Sequence, residues 1–160
     1  MYNYTHQYSQ TLQLIDKYKD SYHEQTFQLA LCSYKIRALQ MQKRIPECHK
    51  TLEELKYEID KIREDVNKKI IESRYQLFLA EIYLEENQIK KIEEIMVNFP
   101  EECMDEIYYF TQAKISEKLN DFKSALEYYM LIDENTTDIW LKNIAQEKMV
   151  ECRNLLLSSN

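Results

Sequence analysis

The sequence predicts an all-α protein, an antiparallel helix-turn-helix array of about seven to eight helices in one domain spanning residues 1–160. Three observations carry this. Apolar residues recur at helical spacing along nearly the whole chain. Strand patterns are missing: no alternating run survives four residues, and there is no Asn-Gly or Asp-Gly hairpin turn. The chain also has no glycine and only 2 prolines. That composition leaves few interruptions and removes sites whose backbone needs glycine, including phosphate-cradling loops, the dinucleotide fingerprint, the nucleophile elbow and the EF-hand turn.

A first helix near 8–22 is carried by Leu12, Ile15, Tyr18 or Lys19, and Tyr22. Phe27, Ala30, Leu31, Tyr34, Ala38 and Met41 form one stripe of a second amphipathic helix over 24–43, and such a stripe normally faces a core. Arg44-Ile45-Pro46 ends it, because proline disfavours helix at the residue before it and suits a first turn. The third helix, 46–64, follows with Glu47 where the helix dipole favours an acid. From Thr51 to Val66, Leu52, Leu55, Ile59, Ile62 and Val66 follow a coiled-coil spacing for two heptads. That is short for a zipper and predicts a long helix packed inside the array.

Helices near 70–86 and 88–98 come next, and Pro100 repeats the opening device for a helix over 102–119 through Ile107, Phe110 and Ala113. The last two helices span about 121–133 and 137–157. Leu141, Ala145, Met149, Cys152 and Leu156 carry the final one, with Thr136 or Thr137 as its cap. The remaining breaks are polar clusters at Asp65 to Lys69, Glu86-Asn87-Gln88, Asn120-Asp121 and Asn135-Thr136-Thr137. Asn and Asp tolerate the left-handed conformation and so replace glycine there.

Lys+Arg of 21 against Asp+Glu of 28 gives a net charge of −7, which opposes the phosphate neutralisation on which nucleic-acid binding rests. No stretch is apolar enough to span a membrane, and MYNYTHQYSQ lacks the features of a signal peptide. A cytoplasmic location is expected, with the nucleus as the alternative. Cys32, Cys48, Cys103 and Cys152 form no CxxC pair and read as free thiols, the first two and the last as small hydrophobes. No catalytic, cofactor or metal set emerges. His6, His23 and His49 are far apart, and the Asp20–His23 and His49–Glu53 pairs are each at most half a ligand set.

An offset of 33 residues aligns Tyr75 with Tyr108, Ala80 with Ala113, Ile82 with Ile115, Asn87 with Asn120, Lys90 with Lys123 and Glu94 with Glu127. Two helices per period and small residues at the crossings form a repeat-protein signature. At these residues the chain resembles the tetratricopeptide repeat family. The closest unit runs from Glu106 to Asn135, with Ala113, the Asn120-Asp121-Phe122 turn, Ala125, Tyr129 and Ile132; a second runs from Ser73 to Asp105. A weaker unit starts near Leu29, with Ile36, Cys48, Leu52 and Leu55, and is spaced more widely. The resemblance divides the chain into an N-terminal helix (1–23), a weak repeat with a long second helix (24–68), two repeats (70–135) and a capping helix (136–160). Ala113 and Asn120 stand where family repeats normally carry glycine, and Gln112 where they carry a large apolar residue.

The resemblance implies a protein–protein interaction module rather than an enzyme. It would act as an adaptor, scaffold subunit or chaperone, holding a partner's peptide or amphipathic helix against a concave face, without cofactor or metal. The family's groove positions fall on Arg37, Gln40, Arg74, Leu77, Glu81, Leu84, Ile107, Phe110, Lys114 and Glu117. For the apolar members of that set, core packing is the competing role. Gln25 to Pro46 contains no acid but four basic residues, Lys35, Arg37, Lys43 and Arg44, a solvated face or a seat for an acidic segment. Two alternatives stay open: a small secretion-type chaperone of the same family, and a structural helical subunit that mainly self-associates as a homodimer. Tyr2, Tyr4 and Tyr8 read as a frayed tail or an aromatic arm docking on a neighbour.

Overall fold

The computed structural model describes residues 4–21, 25–63 and 66–158. Tyr2, Tyr22 and His23 lie outside them. The described chain is all-helical, with eight α-helices: α1 (Tyr4–Tyr18), α2 (Gln25–Met41), α3 (Ile45–Asp60), α4 (Val66–Glu85), α5 (Ile89–Val97), α6 (Glu106–Lys118), α7 (Phe122–Asn135) and α8 (Ile139–Ser158). A one-turn 3-10 helix, Glu101–Cys103, precedes α6. No strand occurs among the described residues.

Three reversals share one geometry. Lys43, Asn87 and Asn120 have φ of 56°, 57° and 59°. After each, a backbone N–H reaches back to the helix it leaves: Arg44 to the Leu39 carbonyl (3.0 Å), Gln88 to Tyr83 (2.9 Å) and Asp121 to Ser116 (2.9 Å). The left-handed residues themselves donate to Gln40, Leu84 and Glu117. This is the Schellman closure, in which a left-handed residue just past the helix lets two orphan carbonyls accept bonds. The next residue is at once the N-cap of the following helix. Asn87 and Asn120 were legible as glycine substitutes; Lys43, with no side-chain preference for this conformation, was not.

Helix starts correct the sequence reading in places. Pro46 occupies the first turn of α3 as expected, but Pro100 opens only the 3-10 turn. The cap of α6 is Asp105, whose carboxylate accepts the N–H groups of Ile107 and Tyr108. At α8, Asp138 takes the Leu141 N–H (3.1 Å), while the Thr136 hydroxyl accepts the Asp138 N–H. Lys68 and Lys69, placed in a break by polarity alone, are helical; lysine is a good helix former and nothing nearby interrupts.

Cα proximity divides the chain into two compact units, Met1–Ile82 and Tyr83–Asn160. In the first, Leu29, Ile36 and Leu39 of α2 pack with Cys48, Leu52, Leu55 and Ile59 of α3 and Ile82 of α4. The heptad-like seam of α3 is therefore spent on the interior of its own unit. In the second, Ala113 of α6, Ala125, Tyr129 and Ile132 of α7, and Leu141, Ala145 and Cys152 of α8 form one cluster. Some positions matched by the sequence alignment are alike in burial: Ile36, Ala80 and Ala113 are inaccessible, as are Cys48 and Ala125, and Ile92 nearly so; others differ, Leu77 being buried where Phe110 is half-exposed, and Tyr129 where Met96 is.

Candidate functional site

The ten positions assigned to a groove separate by unit and by role. In the first unit, Arg37 Nη1 donates to Glu81 Oε2 at 2.8 Å, and its guanidinium lies 5.5 Å from the centroid of the Phe78 ring. Glu81 is 4% exposed and Leu77 is equally buried, so both serve packing between helices. Arg74 and Gln40 are half-buried, and the Gln40 amide oxygen is enclosed without a hydrogen-bond partner. In the second unit Leu84 is buried. Ile107 and Phe110 rest on the core cluster, and Phe110 meets Tyr129 edge-on at 6.3 Å. Lys114 Nζ lies 5.6 Å from the Phe110 centroid. Glu117 pairs with Lys148 at 3.3 Å and also bonds to the Tyr129 hydroxyl, whose titration is pushed up by burial and by that carboxylate. Ile107, Phe110 and Lys114 thus form a half-exposed strip on α6, while Leu77, Glu81 and Leu84 are interior.

The acid-free run has a structural explanation. Lys35 pairs with Glu54 of α3 at 3.0 Å, Arg37 with Glu81 of α4, and Arg44 with Glu47. The Arg44 guanidinium, through its hydrogen bonds, holds the Glu47 carboxyl below its ordinary value. Three of the four cations are therefore matched by acids from elsewhere in the same unit, which removes most of their pull on an acidic segment.

Sequence reading missed a different surface. An open apolar groove of about 380 Å³ runs between α1 and α2, lined by Thr11, Leu14, Ile15 and Tyr18 from one helix and Phe27, Leu31 and Tyr34 from the other. Leu14, Tyr18 and Tyr34 are 56%, 41% and 66% exposed. The stripe expected to face the core supplies its α2 wall: Phe27 and Leu31 are half-buried, Ala30, Tyr34 and Met41 are exposed, and only Ala38 is interior. The face of α2 that does pack inward is Leu29, Ile36 and Leu39. Both faces are apolar, so periodicity alone could not choose between them. On the other side of the α1–α2 contact, two polar clefts share Asp16, Lys19, Lys35 and Glu54.

Of the cysteine thiols, Cys48 and Cys152 are buried and Cys32 and Cys103 partly so. Burial, with Glu54 nearby, pushes the Cys32 thiol up to about 11; burial likewise raises Cys48 to about 11 and moves Cys152 upward. Thiols so shifted are almost wholly protonated at neutral pH and are poor nucleophiles. No group of three or more His, Cys, Asp or Glu side chains is placed to hold a metal ion among the described residues, and no helix there is long and apolar enough to cross a membrane. No family model, curated protein or solved structure matches the chain.

Proposed function

We propose that this chain is a tetratricopeptide-like interaction module, an adaptor, scaffold subunit or chaperone that holds a partner's peptide or helix and performs no chemistry of its own. The observation that supports the reading is the threefold Schellman reversal at Lys43, Asn87 and Asn120, with closely similar burial at Ile36, Ala80 and Ala113 before it and at Cys48, Ile92 and Ala125 after it. Stacked hairpins of one design are the architecture that presents first-helix side chains as an extended binding surface. Of the groove set, Gln40 and Arg74 are half-buried in the first unit; within the second unit, half-buried Ile107, Phe110, Lys114 and Glu117 give α6 an amphipathic mixture suited to a segment with one apolar face.

Affinity capture on the immobilised chain, read by quantitative mass spectrometry, tests the proposal. A discrete partner should be retained and reduced about tenfold or more by Lys114→Glu. Recovery of the same proteins in the same amounts on the variant would remove α6 from the binding surface. The self-associating alternative loses its most direct support, because Leu52, Leu55 and Ile59, the seam that suggested it, are buried within their own unit.

A further inference from the structure

We propose that α1 is a strap that undocks from α2 as one piece while the rest of its compact unit stays folded, uncovering the side of α2 that carries Leu31, Cys32 and Lys35. The two neighbours of α2 are anchored very differently. α3 gives the interior Cys48, Thr51, Leu52, Leu55 and Ile59, each 2% exposed or less. Among the described side chains of α1, residues 7–18, only Ile15 is buried, at 7%, with Leu12 packed part-buried against the same core. Local stability follows buried apolar contact, and an element poor in it opens at a lower free energy than the whole.

The space around that anchor weakens it further. Ile15 borders all three clefts, the apolar groove of about 380 Å³ and the polar clefts of about 300 and 290 Å³. A side chain beside open space forfeits dispersion contacts on that side. Two polar ties to α2 and its turn are exposed: the Gln42 amide donates to the Ser9 hydroxyl at 3.0 Å, and the Gln28 amide to the Lys19 carbonyl, just past α1, at 3.1 Å. Such bonds exchange readily with water and add little net free energy. A helix of 15 residues is marginal alone in water, so undocking and loss of helix are coupled and α1 opens as a unit. Leu31, Cys32 and Lys35 line these clefts beside residues of α1 and gain exposure when it leaves.

Native-state hydrogen exchange of the full chain, read by mass spectrometry over a series of sub-denaturing urea concentrations, tests this. Amides of α1 should exchange through an opening about a hundredfold or more populated than the one that exposes α3. Its urea dependence should be shallower, because less surface is uncovered. Ile15→Ala should populate the α1 opening about tenfold or more and leave exchange in α3 unchanged. Ile15→Val should act in the same direction by less, and serves if the alanine variant fails to fold. Lys114→Glu, which tests the inner-face reading, should leave exchange in α1 unchanged, so either reading can fail without the other. A common opening constant and urea slope for α1 and α3 would overturn the proposal, because one cooperative unit would then hold both. Equal acceleration of the two helices by an Ile15 variant would do the same. So would exchange of α1 at the unprotected rate, because a helix that never docks is no strap.

Discussion

Arg37 and Glu81 join α2 to α4 through a 2.8 Å hydrogen-bonded ion pair in which the carboxylate is almost wholly enclosed and the guanidinium is 37% exposed and packed over Phe78. The asymmetry sets the consequence of breaking it. Arg37→Met takes a cationic partner from a buried carboxylate and should cost about 1–3 kcal/mol, less than a fully interior pair because part of the interaction is screened by water. Adding Glu81→Leu should recover most of that loss. Urea unfolding of the single and double variants measures both, and a double variant no more stable than Arg37→Met would refute this account.

Lys43 should be improvable. Its φ of 56° places a residue with a Cβ in a region that costs about 1–2 kcal/mol for most side chains. Lys43→Asn or Lys43→Gly should therefore stabilise by about 0.5–1 kcal/mol, offset in the glycine variant by its freer unfolded chain. The reverse change at the equivalent turn, Asn120→Ala, should destabilise by about 1 kcal/mol. Chemical denaturation midpoints give the sign of each.

Ala125 is inaccessible and belongs to the cluster shared by α6, α7 and α8. Ala125→Leu should overpack it and cost about 1–3 kcal/mol. A melting temperature equal to the parent's would mean that the crossing has room the packing does not suggest.

Leu55 is 2% exposed in the core of the first unit. Leu55→Glu should therefore unfold that unit rather than report on self-association, because an unpaired carboxylate would be buried. Circular dichroism should show a large loss of helix; a native spectrum with altered sedimentation would restore the zipper reading.

Cys32 and Cys48 carry a pH dependence. Both fold with pKa raised from 9.0 to about 11, so the folded state holds their protons more tightly than the unfolded state. Their contribution is complete below pH 9 and falls as pH rises from 9 towards 11. Stability should decline over that window and decline less in a Cys32→Ala, Cys48→Ala variant, as followed by urea titration at successive pH values.

Much of the fold was legible because helix signals here are local. Pro46, Asn87, Asn120 and Asp121 act within a few residues of where they stand, and each fell at a helix boundary. What was not legible depended on contacts distant in sequence. Lys43 is the exception, left-handed because the local closure of Arg44 onto the Leu39 carbonyl requires it and not because lysine favours the conformation. Leu77, Glu81 and Leu84 sit at groove positions by alignment yet are interior in the structure, since a stripe of apolar residues does not say which neighbour will cover it. The same ambiguity hid the α1–α2 groove: Phe27, Leu31 and Tyr34 had the spacing of a core stripe, and the competing stripe of Leu29, Ile36 and Leu39 won the interior.

The reversals at Asn87 and Asn120 have an effect outside the native state. A polypeptide that turns with side-chain-bearing residues samples fewer backbone states once denatured than one that turns with glycine, and has correspondingly less disorder to surrender on refolding. Part of this protein's folding free energy is therefore held in its unfolded ensemble, where no inventory of native contacts would find it.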